Sequence, residues 1–146
     1  MRRIAPAVAF VLALAPAAIA VPGDIQYPVT KFKPVGDPTG WGSVSWLINP
    51  RPAVRTFCWE MSFATKAQPL FVYLRRGATG PVVGTIDVGP HNTLAWPGSG
   101  TYSGCMQRRR ALILDLRAHP RRYYPDVRTR TARHALRARL HGSPLR

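Results

Sequence analysis

A chain of 146 residues, 46% hydrophobic and 18% charged, has the size of one domain and enough apolar surface to close a core, which excludes a second domain and an intrinsically disordered protein. Its net charge of +15 creates a field that favours polyanions: nucleic acid, acidic envelope polymers or anionic lipid headgroups. Eighteen of the 21 basic residues are Arg, in a sequence also rich in Ala and Pro, a composition that mutational bias produces without selection for binding.

Residues 1–20 have the physical form of a signal peptide. Arg2 and Arg3 precede an apolar run from Ile4 to Ile19 that ends in Ala18-Ile19-Ala20, a small-residue cleavage pattern. The run holds Pro6 and Pro16 and falls short of the roughly 20 residues a spanning helix needs, so no transmembrane anchor is expected after cleavage. The expected address is secreted, outside the cell. Residues 21–40 are rich in Pro and Gly without a period and predict an irregular lead-in to a domain over 41–142, with 143–146 as a tail.

Ser43 to Asn49 alternates Val44, Trp46 and Ile48 with polar residues, the period of a half-buried strand. Val54 to Phe63 predicts a second strand, with Phe57, Trp59, Met61 and Phe63 on one face and Cys58 and Glu60 on the other. Leu70 to Arg76 and Val82 to Val88 predict two more strands around a turn at Gly77 to Pro81. His91 to Gly104 is dominated by turn formers and predicts a long loop with at most one short strand. Met106 to His119 predicts a helix from the spacing of Leu112, Ile113 and Leu116 before Pro120, with a strand over Ala111 to Leu116 as the alternative. Arg122 to Thr129 and Ala135 to His141 predict the last two strands, the final one alternating Leu136, Ala138 and Leu140 with Arg137 and Arg139. The fold class is therefore all-β, an immunoglobulin-like β-sandwich or small barrel, with one short helix before the last two strands.

Cys58 and Cys105 are the two cysteines. In an exported chain an even count reads as one disulfide, closing a loop whose chain-entropy contribution is about 4 kcal/mol. No catalytic constellation is apparent. The six acids are dispersed, Ser99 lies in a Pro-Gly-Ser-Gly turn and not in a strand-to-helix elbow, and His91, His119, His134 and His141 lack metal-ligand spacing. No cofactor is implied. Tyr73, Tyr123 and Tyr124 beside Arg75, Arg121 and Arg122 could stack on bases, but an exported protein seldom meets nucleic acid, so no nucleic-acid partner is expected. Arg108 to Arg110, at the start of the predicted helix, are expected to face solvent.

Taken in order, several segments resemble the CHRD domain, the module named after chordin and found singly in secreted bacterial proteins. They are Gly42-Ser43-Val44, Phe57-Cys58-Trp59-Glu60, the run Arg76 to Val83, Gly104-Cys105, and the stretch from Leu116 to Leu140 that includes His119-Pro120, Tyr123-Tyr124, Val127 and Thr129. The resemblance spans about Gly40 to Gly142 and implies a secreted, non-enzymatic binding or structural module, with Cys58 and Cys105 at the family positions. The family's partners are extracellular ligands, which implies an extracellular protein as partner; the positive charge gives the alternative, electrostatic attachment to an anionic envelope polymer. Three histidines common in the family are Tyr73, Arg75 and Arg128 in this chain. Arginine offers no lone pair to a metal, so a metal role at those positions is not expected; a degenerate enzyme that has lost its metal site is the alternative. If Arg75 and Arg128 occupy those positions, they and the alternating Arg137 and Arg139 share one end or face of a sheet. Such a cluster is a candidate site for phosphate or carboxylate, stable only if an anion or one of Glu60, Asp115 and Asp126 screens it.

Overall fold

The protein, described by a computed structural model over residues 23–87 and 99–145, is a sandwich of two antiparallel sheets with one short α-helix before the last strands. Its strands are β1 (Ile25–Lys31), β2 (Lys33–Pro34), β3 (Trp41–Asn49), β4 (Thr56–Ala64), β5 (Pro69–Arg76), β6 (Val82–Asp87) and β7 (Ser99–Gln107), then, after helix α1 (Arg110–Ala118), β8 (Tyr123–Thr129) and β9 (Leu136–Arg137). The four-stranded sheet has the order β1-β3-β4-β7 and the five-stranded sheet the order β2-β9-β8-β5-β6. No helix of the described residues is long and apolar enough to cross a membrane. The signal-peptide region and residues 91–98 of the expected loop lie outside the described residues.

Strict alternation builds the core. Val44, Trp46 and Ile48 on β3 and Phe57, Met61 and Phe63 on β4 are buried, and so are Val72, Leu74, Tyr123 and Val127 from the facing sheet. Tyr27 lies flat on Trp46 with ring centroids 3.7 Å apart. Helix α1 adds Ile113 and Leu116, both fully buried, so the apolar spacing that predicts a helix is also what seats it on the core. At the turn between β5 and β6, Gly77 adopts φ 85°, a conformation that glycine supplies without a Cβ clash, and its N–H donates to the Arg122 carbonyl at 2.7 Å.

Four expectations need correction. The lead-in over 21–40 is not irregular: Ile25–Lys31 is a full edge strand paired with β3. Its period is masked because the register shifts between Tyr27 and Thr30, around Pro28, which an edge strand tolerates having no N–H to donate. The long loop gives way to nine-residue β7. Gly100 and Gly104 read as turn formers, yet a Cβ on either would meet the Tyr102 or Trp59 ring at about 3 Å, so those glycines make room for aromatics beside a regular strand. Met106 and Gln107 belong to β7, and the helix starts only at Arg110. The final strand pairs over Leu136–Arg137 alone, because Ala138 lies against Pro125, whose ring nitrogen cannot return a hydrogen bond. The chain nevertheless stays alongside β8, with Ala138 N–H donating to the Pro125 carbonyl and Leu140 N–H to the Tyr123 carbonyl, both at 3.0 Å, so Leu136, Ala138 and Leu140 remain buried as the alternation predicts.

Cys58 and Cys105 are direct partners in the β4–β7 register and form the disulfide, with Cα atoms 4.0 Å apart. It lies on the outer face of the four-stranded sheet, where Cys105 is exposed. At the other end of β4, buried Asp37 ties two loops together. Its carboxylate accepts from the Lys66 N–H at 2.5 Å and from the Thr39 hydroxyl at 2.9 Å. Burial alone would raise its pKa, but these bonds, with those from the Thr39 and Gly40 N–H groups, outweigh it and hold Asp37 below the ordinary carboxylate value.

Candidate anion-binding face

Because the inward positions on β5, β8 and β9 are apolar apart from Thr129, the alternate residues stand on the outer face of the five-stranded sheet. That face carries Phe71, Tyr73 and Arg75 from β5, Tyr124, Asp126 and Arg128 from β8, and Arg137 and Arg139 from β9 and its continuation. The register sets them in rows: Lys33 opposite Arg137, Arg137 opposite Asp126 and Asp126 opposite Tyr73; in the next rows Tyr124 opposes Arg75 and Arg128 opposes Phe71. The four candidate arginines therefore do share one face. The three positions where the resemblance implies histidines also fall there, occupied by an aromatic ring and two guanidiniums. Among the described residues no three His, Cys, Asp or Glu side chains converge as a ligand set.

Asp126 is the centre of the face. Its carboxylate is fully buried although it points outward, because its neighbours close over it. Arg75 Nε donates to Oδ2 at 2.9 Å, and His134 Nδ1 lies 2.6 Å from the same oxygen. Arg137 Nε faces Oδ1 at 3.6 Å, too long for a hydrogen bond. Of the three acids expected to screen the cluster, Asp126 alone does so. Glu60 lies on the outer face of the opposite sheet, among Ser45, Ser62 and Ser103. Asp115 is engaged elsewhere: it accepts from the Tyr123 hydroxyl at 2.5 Å and pairs with Arg76 at 3.2 Å.

The remaining guanidiniums are held in other ways. Arg75 also donates to the Gly80 carbonyl at 3.1 Å and packs over the Tyr73 ring, 5.3 Å from its centroid. Arg139, exposed, donates from Nε to the Arg121 carbonyl at 2.9 Å and reaches over the Tyr124 ring. Arg128 stands half-buried beside Phe71. Among the described side chains neither Arg128 nor Arg139 pairs with a carboxylate, so the face keeps a positive excess after Asp126 is satisfied. Each anchored guanidinium is held by groups that leave part of its donor fork unused, and an anion can take the rest.

Other sequence candidates divide clearly. Tyr123 is fully buried and offers no ring for base stacking. Arg109 and Arg110 are exposed as expected, whereas Arg108 is partly covered and donates to the Val83 carbonyl at 3.3 Å. His134, without recognisable spacing in the sequence, proves to be a partner of Asp126, and Lys33, inside the supposed lead-in, extends the cationic row. Neither has a local signal: Lys33 is brought to the face by the pairing of β2 with β9, and His134 by the connection that folds back from β8 to β9. No protein-family model, curated protein or solved structure matches the chain.

Proposed function

We propose that the protein is an exported, non-enzymatic binding module that engages an anionic partner through the outer face of its five-stranded sheet. The observation that carries this reading is the placement of Arg75, Arg128, Arg137 and Arg139 on one face around a single buried carboxylate, with Arg128 and Arg139 unneutralised by any described acid. By contrast, no strand of the opposite sheet carries an arginine, and its outer face presents hydroxyls such as Ser43, Ser45 and Thr101 beside Glu60 and the disulfide. Export is supported by the charged-then-apolar N-terminal pattern and by the disulfide, which persists in oxidising compartments. The CHRD resemblance adds an extracellular ligand-binding role, and the sandwich accords with it.

The partner class is an acidic polymer of the envelope or an extracellular protein with an acidic surface. Binding of the purified protein to polyphosphate and to a polyuronate, against neutral dextran and across a salt titration, tests it. The expected result is saturable binding to the anionic polymers that weakens with salt yet remains measurable near physiological ionic strength, where screening acts over about 8 Å. Equal retention by dextran would refute the proposal.

A further inference from the structure

A second cationic feature lies where the chain crosses from one sheet to the other. β1 ends at Lys31, β2 begins at Lys33, and Phe32 between them turns inward against Phe63, ring centroids 5.9 Å apart. Thr30 is buried as well, so alternation sends Val29, Lys31 and Lys33 outward, and Val35 follows them. Val29 is 59% exposed and Val35 54%, two of the few large apolar side chains left open to solvent. Beside this ridge runs a groove of about 800 Å³, whose lining continues across β9 to Arg137, Arg139 and Tyr124.

The groove has two chemistries in one space. Lys31, Lys33, Arg137 and Arg139 supply positive charge, and no carboxylate is among its described lining residues. Val29, Pro34 and Val35 supply an apolar strip that a hydrophilic polyanion would leave in water, and a neutral apolar ligand would leave the four cations unused. The two arginines are already positioned, Arg137 against Asp126 and Arg139 by the Arg121 carbonyl, so a ligand need not order them. We propose that this groove binds an amphiphilic anion, a single alkyl chain ending in a carboxylate or phosphate, with the headgroup at Lys33, Arg137 and Arg139 and the chain along Val29, Pro34 and Val35. The inference goes beyond the anionic-partner reading, since the valines and lysines lie outside the four-arginine set. The face and the groove share Arg137 and Arg139, so a variant that changes only the valines separates failure of the groove from failure of the face.

The test is calorimetric titration of the purified protein with dodecanoate and with dodecyl phosphate below their micelle-forming concentrations. Dodecyl maltoside serves as the neutral tail and inorganic phosphate as the tailless anion. The expected result is one-to-one binding of one or both dodecyl anions, at least about tenfold tighter than either control. The anion that binds more tightly names the headgroup. A Val29→Ser/Val35→Ser variant, changed only at exposed positions and checked by its melting temperature, should weaken the dodecyl anions at least about fivefold. Lys33→Gln/Arg139→Gln should weaken the dodecyl anions and leave maltoside unchanged. Equal affinity for a dodecyl anion and either control, or full affinity in the Val29→Ser/Val35→Ser variant, overturns the proposal.

Discussion

Arg75 Nε and Asp126 Oδ2 are 2.9 Å apart across the β5–β8 pair, and the carboxylate they share with His134 and Arg137 is wholly shut off from water. A buried ion pair is weak evidence for stability, because desolvation of the partners offsets most of their attraction. Its importance lies in what its removal leaves behind.

Asp126→Ala is therefore expected to destabilise the fold by about 3–5 kcal/mol, since it strands two partly buried guanidiniums without a counter-charge. Arg75→Met, which leaves Asp126 with His134 and Arg137, should cost less than Asp126→Ala. Urea unfolding of the two variants measures the difference. Equal, small losses would mean that the face is not organised around Asp126.

Tyr123 sets the alkaline limit. Burial and then the neighbouring Asp115 carboxylate push its pKa well above the ordinary tyrosine value, and burial also raises those of Tyr27 and Tyr102. These hydroxyls stay protonated in the fold at pH values where the unfolded chain ionises. Their contribution is thus complete below the ordinary value of about 10 and declines as pH rises from there through the folded values. Stability measured by denaturant between pH 8 and 11 should fall over the upper part of that range. Tyr123→Phe, which keeps the ring and leaves Asp115 paired with Arg76, should flatten the decline, and an unchanged slope would remove Tyr123 as its source.

The disulfide joins paired positions of β4 and β7. Cys58→Ala/Cys105→Ala should lower stability by about 2–4 kcal/mol through the freer unfolded chain, with the sheet pairing retained. Far-ultraviolet circular dichroism and urea unfolding test the two halves of that statement. Loss of the β spectrum under native conditions would show that the bond is needed for the fold itself.

The sequence reveals most of the sandwich because its central strands obey alternation: Val44, Trp46 and Ile48, then Phe57, Met61 and Phe63, carry a period that no turn residue interrupts. It hides β1 and β7 because Pro28 with its bulge and the ring-accommodating Gly100 and Gly104 resemble loop residues when read locally. The same division holds for the site. Arg137 and Arg139 are legible as one face because they alternate with Leu136, Ala138 and Leu140. The burial of Asp126 is not legible, since on its own strand it occupies an outward position. Only lateral register with β5 and β9, and the approach of His134, covers it.

The central claim is that a specific face, and not diffuse charge, engages the anionic partner, and its most direct test compares two double variants of equal charge. Arg128→Gln/Arg139→Gln removes the two face arginines that no described carboxylate neutralises, while Arg109→Gln/Arg110→Gln removes two exposed arginines at the start of α1. Polyphosphate affinity at about 0.15 M salt should fall at least about tenfold in the first variant and less than about threefold in the second. Equal losses in the two variants, both vanishing as salt rises, would contradict the account and reduce the arginines to a non-specific field.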